Sequence, residues 1–104
     1  MDQNSENKIT DAKPDPAHYE YVVIRGKEVR VEFIHHATQQ MSRRRIKVQE
    51  VLDVLRIPDQ RGLPTDVGRE RNRRANPDGS GAIDVVYEKL GDDCIRVITA
   101  FRTR

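Results

Sequence analysis

The sequence predicts an α+β domain, with an antiparallel sheet of about four strands packed against two short helices. Three patterns carry that expectation. Val29, Val31 and Phe33 alternate with Glu28, Arg30 and Glu32, the period of a strand with one buried face. Val48, Val51, Leu52 and Leu55 then recur at i, i+3, i+4 and i+7, an amphipathic helical stripe. Near the C-terminus Ile95, Val97, Thr99 and Phe101 alternate with Arg96, Ile98, Ala100 and Arg102, and the strand period returns.

The elements follow in chain order. Residues 1–18 are polar, contain Pro14 and Pro16 and lack periodicity, so a flexible tail is expected there and a single domain over 19–104. Tyr19, Tyr21 and Ile24 open an extended run around Val22 and Val23, and Arg25-Gly26-Lys27 supplies the turn of a hairpin. From His35 the period changes, and Ala37 and Met41 mark a helix over 36–44. Ile46 fills the corner before a second helix over 47–57, which Ile57-Pro58 ends because a residue preceding proline disfavours helix. Residues 59–81 are rich in glycine and proline and read as loop, with at most one edge strand near 67–75. Strands over 83–90 and 94–102 meet at Gly91-Asp92-Asp93 and finish the chain. The expected core is Val48, Val51, Leu52, Leu55, Val85, Ile95, Val97 and Phe101.

Size and charge bound the function. A chain of 104 residues builds one domain, and 36% hydrophobic against 35% charged residues leaves one modest core. Residues 1–20 hold two basic and five acidic side chains, leaving 17 basic and 12 acidic ones in the body. An acidic tail on a basic body suits a nucleic-acid binder. Cys94 is the single cysteine, which excludes an intrachain disulfide and a cysteine metal cluster. Within Cys94-Ile95-Arg96-Val97-Ile98 it reads as a small buried hydrophobe. No apolar run approaches the roughly 20 residues of a membrane helix and no signal-peptide stretch opens the chain, so a cytoplasmic protein without membrane contact is expected.

The informative segment is His36-Ala37-Thr38-Gln39-Gln40-Met41-Ser42-Arg43-Arg44-Arg45-Ile46. His36, Gln40 and Arg44 fall at i, i+4 and i+8, one face of a helix. Metal-independent RNA cleavage needs a base for the 2′-OH proton, an acid for the leaving oxygen, and fixed positive charge on the phosphorane. Histidine suits the first two roles and the planar arginine fork the third. His36 and Arg44 are therefore the candidate catalytic pair, with Tyr87 and Arg102 as partners from the sheet. Arg69, Arg71, Arg73 and Arg74, with Arg43 and Arg96, are candidate RNA contacts. The competing structural readings are a helix-start cap for His36, a solvated helix end for Arg43-Arg44-Arg45, and a solvated loop for residues 69–74. Adjacent His35 and His36 diverge on a helix and no third ligand stands at a usable spacing, so neither metal nor cofactor is expected.

The same segment, with Val51, Val54-Leu55 and Pro58-Asp59, resembles the signature of a domain-of-unknown-function family. That signature reads His-Ala, two variable residues, Arg-Met, two variable residues, Arg-Gly-Ile, then a Val…Val-Leu…Pro helix. The resemblance covers about residues 31–101. Members are similar to RelE- and BrnT-type toxins of the ribonuclease superfold shared by barnase-like and RelE-like enzymes. It implies a RelE-like fold, a toxin-type endoribonuclease acting through the 2′-OH, and a protein antitoxin as partner. The chain keeps His36-Ala37 and Arg44 but carries Gln40 at the first arginine and Arg45 at the glycine. Gln40 favours an alternative, a catalytically inactive RNA- or protein-binding module of the same fold.

Overall fold

The computed structural model describes residues 16–104; most of the expected tail lies outside them. The elements run β1 (His18–Ile24), β2 (Lys27–Phe33), α1 (His35–Arg44), α2 (Val48–Arg56), β3 (Glu70–Ala75), β4 (Ala82–Lys89) and β5 (Cys94–Thr103). The α+β class and both helices match the sequence expectation. The sheet differs from it: five strands in the order β1-β2-β5-β4-β3, with β2 parallel to β5 and the other pairs antiparallel. Among the described residues no helix is long and apolar enough to cross a membrane.

β1 and β2 form the expected hairpin, closed by Arg25 (φ 53) and Gly26 (φ 79). Two positive φ values in a two-residue loop match the right-handed strand twist. β1 begins at His18, inside the expected tail, and the Ala17 N–H donates to the Phe33 carbonyl at 2.9 Å.

Helix α1 buries Ala37 and Met41. It ends at Arg45, which takes the left-handed conformation (φ 58, ψ 43) while the Ile46 N–H reaches back to the Met41 carbonyl at 2.8 Å. Ile46, 5% exposed, plugs the corner as expected. In α2 the Glu50 carboxylate accepts the Lys47 N–H at 2.9 Å, which satisfies one orphan donor of the first turn. The α2 stripe buries Val51, Leu52, Val54 and Leu55, while Val48 is only partly buried.

Left-handed backbone costs a non-glycine residue about 1–2 kcal/mol, partly offset by the larger entropy that glycine loses on folding. Arg45→Gly, which restores the residue of the resembling signature, is therefore expected to stabilise the fold by about 0.5–1 kcal/mol. Thermal melting should show a rise of a few degrees. No rise would mean that Arg45 makes a compensating contact.

One core joins both helices to a single face of the sheet: Val29, Val31 and Phe33 of β2, Ile83, Val85 and Tyr87 of β4, and Ile95, Val97 and Ala100 of β5. Phe101, expected in that core, is not there. β5 pairs Val97 with Tyr87 but Thr99 with Val86, so Ile98 is an extra residue. A one-residue bulge inverts the alternation beyond it. Ala100 takes the core position, fully buried, and Phe101 turns to the opposite face, where it pairs with Asp84.

The second finding concerns residues 69–74. Arg71, Arg73 and Arg74 lie on strand β3, the edge strand allowed for near 67–75, with Arg69 just before it, and β3 pairs with β4 from Glu70↔Tyr87 to Ala75↔Ala82. Their face is then set by strand parity rather than by loop mobility.

Candidate nucleic-acid interface

Parity distributes the charged side chains between two faces. Glu32 stands opposite Arg96 across β2 and β5, and Arg73 stands opposite Asp84 across β3 and β4. All four point away from the core, on the face that neither helix covers among the described residues. Arg30 and Arg71 share this face by the same alternation.

The helix-free face repeats one arrangement twice: two arginines around one carboxylate. Asp84, fully buried, accepts the Arg71 Nε–H at 2.6 Å, and from Arg73 the Nε–H at 2.7 Å and an Nη2–H at 3.1 Å. Arg71 also donates from Nη1 to the Pro64 carbonyl at 3.1 Å. The Asp84 hydrogen bond, more than its charge, holds the Arg73 guanidinium above its ordinary pKa. In the second cluster Glu32 lies 3.3 Å from Arg30 Nε and 3.5 Å from Arg96 Nη2. Neither the Arg30 nor the Arg96 Nε has a hydrogen-bond partner among the described residues. The Asp84 cluster therefore carries one positive charge more than its carboxylate balances, whereas in the second cluster Glu88 stands across from Arg96 as a further carboxylate.

Aromatic rings flank both clusters. The Arg30 guanidinium lies 4.0 Å over the Tyr19 ring, and Tyr19 meets Tyr21 edge-on at 6.0 Å. Arg71 lies 5.5 Å from the Phe101 ring. Tyr19 and Tyr21 are each about half exposed (49% and 57%). Cys94 is also here, its thiol 3.7 Å from Glu32. Burial, and then the Glu32 carboxylate, push that thiol above its usual pKa, so it stays protonated near neutrality and is a poor nucleophile.

The remaining expected contacts are scattered. Arg69 sits just before β3 with Glu88 at 3.6 Å and Asp66 at 3.7 Å. Arg74 faces the helices and donates to the Ile57 carbonyl at 2.8 Å, tying down the end of α2. Arg43 is exposed in the last turn of α1. Of the six expected RNA contacts, Arg71, Arg73 and Arg96 share the helix-free face.

The four candidate catalytic residues fall on the other side of the sheet. Arg44 donates from Nη1 to the Ala100 carbonyl at 2.7 Å and to Thr99 Oγ1 at 3.2 Å, and Thr99 lies 3.2 Å from Gln40. Arg102 donates to the Arg45 carbonyl at 2.6 Å and the Arg44 carbonyl at 3.3 Å. These two arginines do meet, but they spend their donors fastening α1 to β5 and satisfying its last carbonyls. His36 is exposed in the first turn of α1, and no side-chain hydrogen bond links it to the other described residues. It does not cap the helix either: Ile34 is the N-cap, without a side-chain bond. The Tyr87 hydroxyl accepts from Asn72 Nδ2 at 3.2 Å and donates to Glu70 at 3.3 Å. Burial, then Glu70, push that phenol above its usual pKa, against Asn72 and Arg61. Arg44 and Arg102 are brought together; among the described residues no hydrogen bond joins His36 or Tyr87 to them or to each other.

Sequence reasoning missed Asp84, Glu32, Arg30, Tyr19, Tyr21 and Phe101 as parts of one surface. Asp84 did carry a signal. A lone carboxylate inside Ala82-Ile83-Asp84-Val85-Val86 must find cations, because an unpaired buried charge is prohibitively costly. No family model, no curated protein and no solved structure matches this chain.

Proposed function

We propose that this protein binds single-stranded RNA across its helix-free sheet face, as a binding module whose activity does not depend on His36. The observation that carries the reading is the doubled cluster, four arginines held by Asp84 and Glu32 beside Tyr19, Tyr21 and Phe101. Arginines pinned from beneath lose little rotamer freedom when they bind, and a guanidinium plane or an aromatic ring can stack on an unpaired base. The surplus charge of the Asp84 cluster suits the phosphates between bases. A catalytic centre at His36 has less support, since Arg44 is committed to β5 and no side-chain hydrogen bond joins the imidazole to another described residue.

Fluorescence anisotropy with a short, mixed, labelled RNA across a salt series tests this proposal. Each neutralised phosphate of a single strand contributes about −0.7 to the slope of log K against log salt, so two to four contacts give about −1.5 to −3. No binding at low salt would overturn it. The toxin-type ribonuclease reading is assayed in the same tubes, by running the RNA on a denaturing gel with EDTA present. His36→Ala is expected to leave both affinity and melting temperature unchanged. A drop in cleavage of about 10²-fold or more in that variant would instead place the imidazole in a catalytic centre.

A further inference from the structure

On the opposite, helix-bearing side, the sheet ends in a cleft of about 360 Å³ between the two hairpin turns and the last turn of α2. Its floor is apolar and tightly packed: Val29, Leu55, Tyr87 and Ile95 are all 8% exposed or less. Its rim is cationic, formed by Arg25, Lys27, Arg61 and Lys89. The charge is not cancelled locally. Lys89 pairs with Glu70 at 3.4 Å and Asp92 stands at the mouth, but Arg25, Lys27 and Arg61 have no ion-pair partner among the described residues.

Backbone conformation adds a second observation. Arg25 is one of only two non-glycine residues with positive φ among the described residues. It occupies the first position of a two-residue hairpin turn, where asparagine, aspartate or glycine is the low-energy choice. The fold thus tolerates left-handed strain that keeps a guanidinium at the cleft, as strain does at ligand clamps.

An apolar floor below a ring of cations selects an amphipathic anion. A volume near the lower end of small-molecule clefts admits one flat, nucleotide-sized group and excludes a duplex. The Tyr87 hydroxyl is already engaged by Asn72 and Glu70, so the residue offers its ring to the cavity. Asp92 can accept hydrogen bonds from sugar hydroxyls.

We propose that this cleft binds a nucleoside monophosphate group, either free or as the phosphorylated end of a strand. The phosphate lies between Arg25, Lys27 and Arg61, and the base lies over Val29, Leu55 and Ile95. The site is separate from the helix-free face and stands whether or not that face binds RNA.

Isothermal titration of the full chain with AMP, adenosine and inorganic phosphate tests it. AMP should bind at least about tenfold tighter than either part, because only AMP uses floor and rim together. Lys27→Gln with Arg61→Gln should weaken AMP at least about tenfold, the effect of losing charge-assisted hydrogen bonds. Both side chains are exposed, and a circular-dichroism melt checks that the fold is intact. Arg43→Gln, and a variant with Tyr19→Thr and Tyr21→Thr, should leave AMP binding unchanged, which separates this site from the helix-free face. A terminally phosphorylated oligonucleotide that displaces AMP, where its unphosphorylated twin does not, identifies a strand end as the source. AMP binding without such displacement identifies the free nucleotide. Absence of AMP binding, phosphate binding as tightly as AMP, or an unaffected double variant would each overturn the proposal.

Discussion

Asp84→Ala is expected to remove about 3 kcal/mol of stability, a large share of the roughly 5–15 kcal/mol that holds a small domain together. Asp84 is fully buried and takes three hydrogen bonds from two guanidiniums. Removing it leaves two like charges side by side, with most of each side chain already withdrawn from water. Asp84→Asn should fall between wild type and alanine, since it keeps an acceptor and loses the charge. Urea unfolding reads the effect as a lower midpoint at unchanged slope. A loss below about 1 kcal/mol would mean the pair is as well solvated as an ordinary surface salt bridge.

The second large effect is on binding. Replacing Tyr19 and Tyr21 together by threonine removes two π-faces from the helix-free surface but keeps β-propensity on the edge strand. Each stacked base is worth about 1–3 kcal/mol, so the pair should weaken single-stranded RNA binding by at least about 30-fold. The salt slope should change little, because tyrosine neutralises no phosphate. Anisotropy with wild type and variant at two salt concentrations separates these terms. Unchanged affinity would exclude β1 from the interface.

Local periodicity disclosed the hairpin, both helices and the two last strands, because alternation and the 3.6-residue stripe are properties of short windows. It could not disclose which strands become neighbours. Nothing in Lys27–Phe33 or Cys94–Thr103 states that they lie parallel, since pairing across α1, α2, β3 and β4 is decided by the whole core. The bulge at Ile98 was hidden for a similar reason, as Ile95 to Phe101 alternates without a break. Missing it put Phe101 inside and concealed the ring beside Arg71. The arginines of β3 were legible as a cluster, and an edge strand near them was allowed for, but its register against β4, which sets Arg73 opposite Asp84, is not a local property. His36 and Arg44 share a helix face, as their spacing required. Spacing could not reveal that the Arg44 fork is spent on the Ala100 carbonyl.

The parallel joint has a consequence for assembly. Glu32 and Arg96, 64 residues apart in sequence, meet across it. On either side strand pairing is local: the β1-β2 hairpin forms one lobe and the meander β3-β4-β5 the other, while α1 packs on β5 and α2 on β4, β3 and β1. Short loops close early and cheaply, so the joint that closes the longest loop comes late in folding. Tyr19, Arg30 and Glu32 arrive with the first lobe; Arg71, Arg73, Asp84 and Arg96 arrive with the second. A nascent or cleaved chain holding one lobe owns half of each set of contacts and no continuous surface. The helix-free surface is thus completed at the last step of folding, and proteolysis between the lobes would divide it.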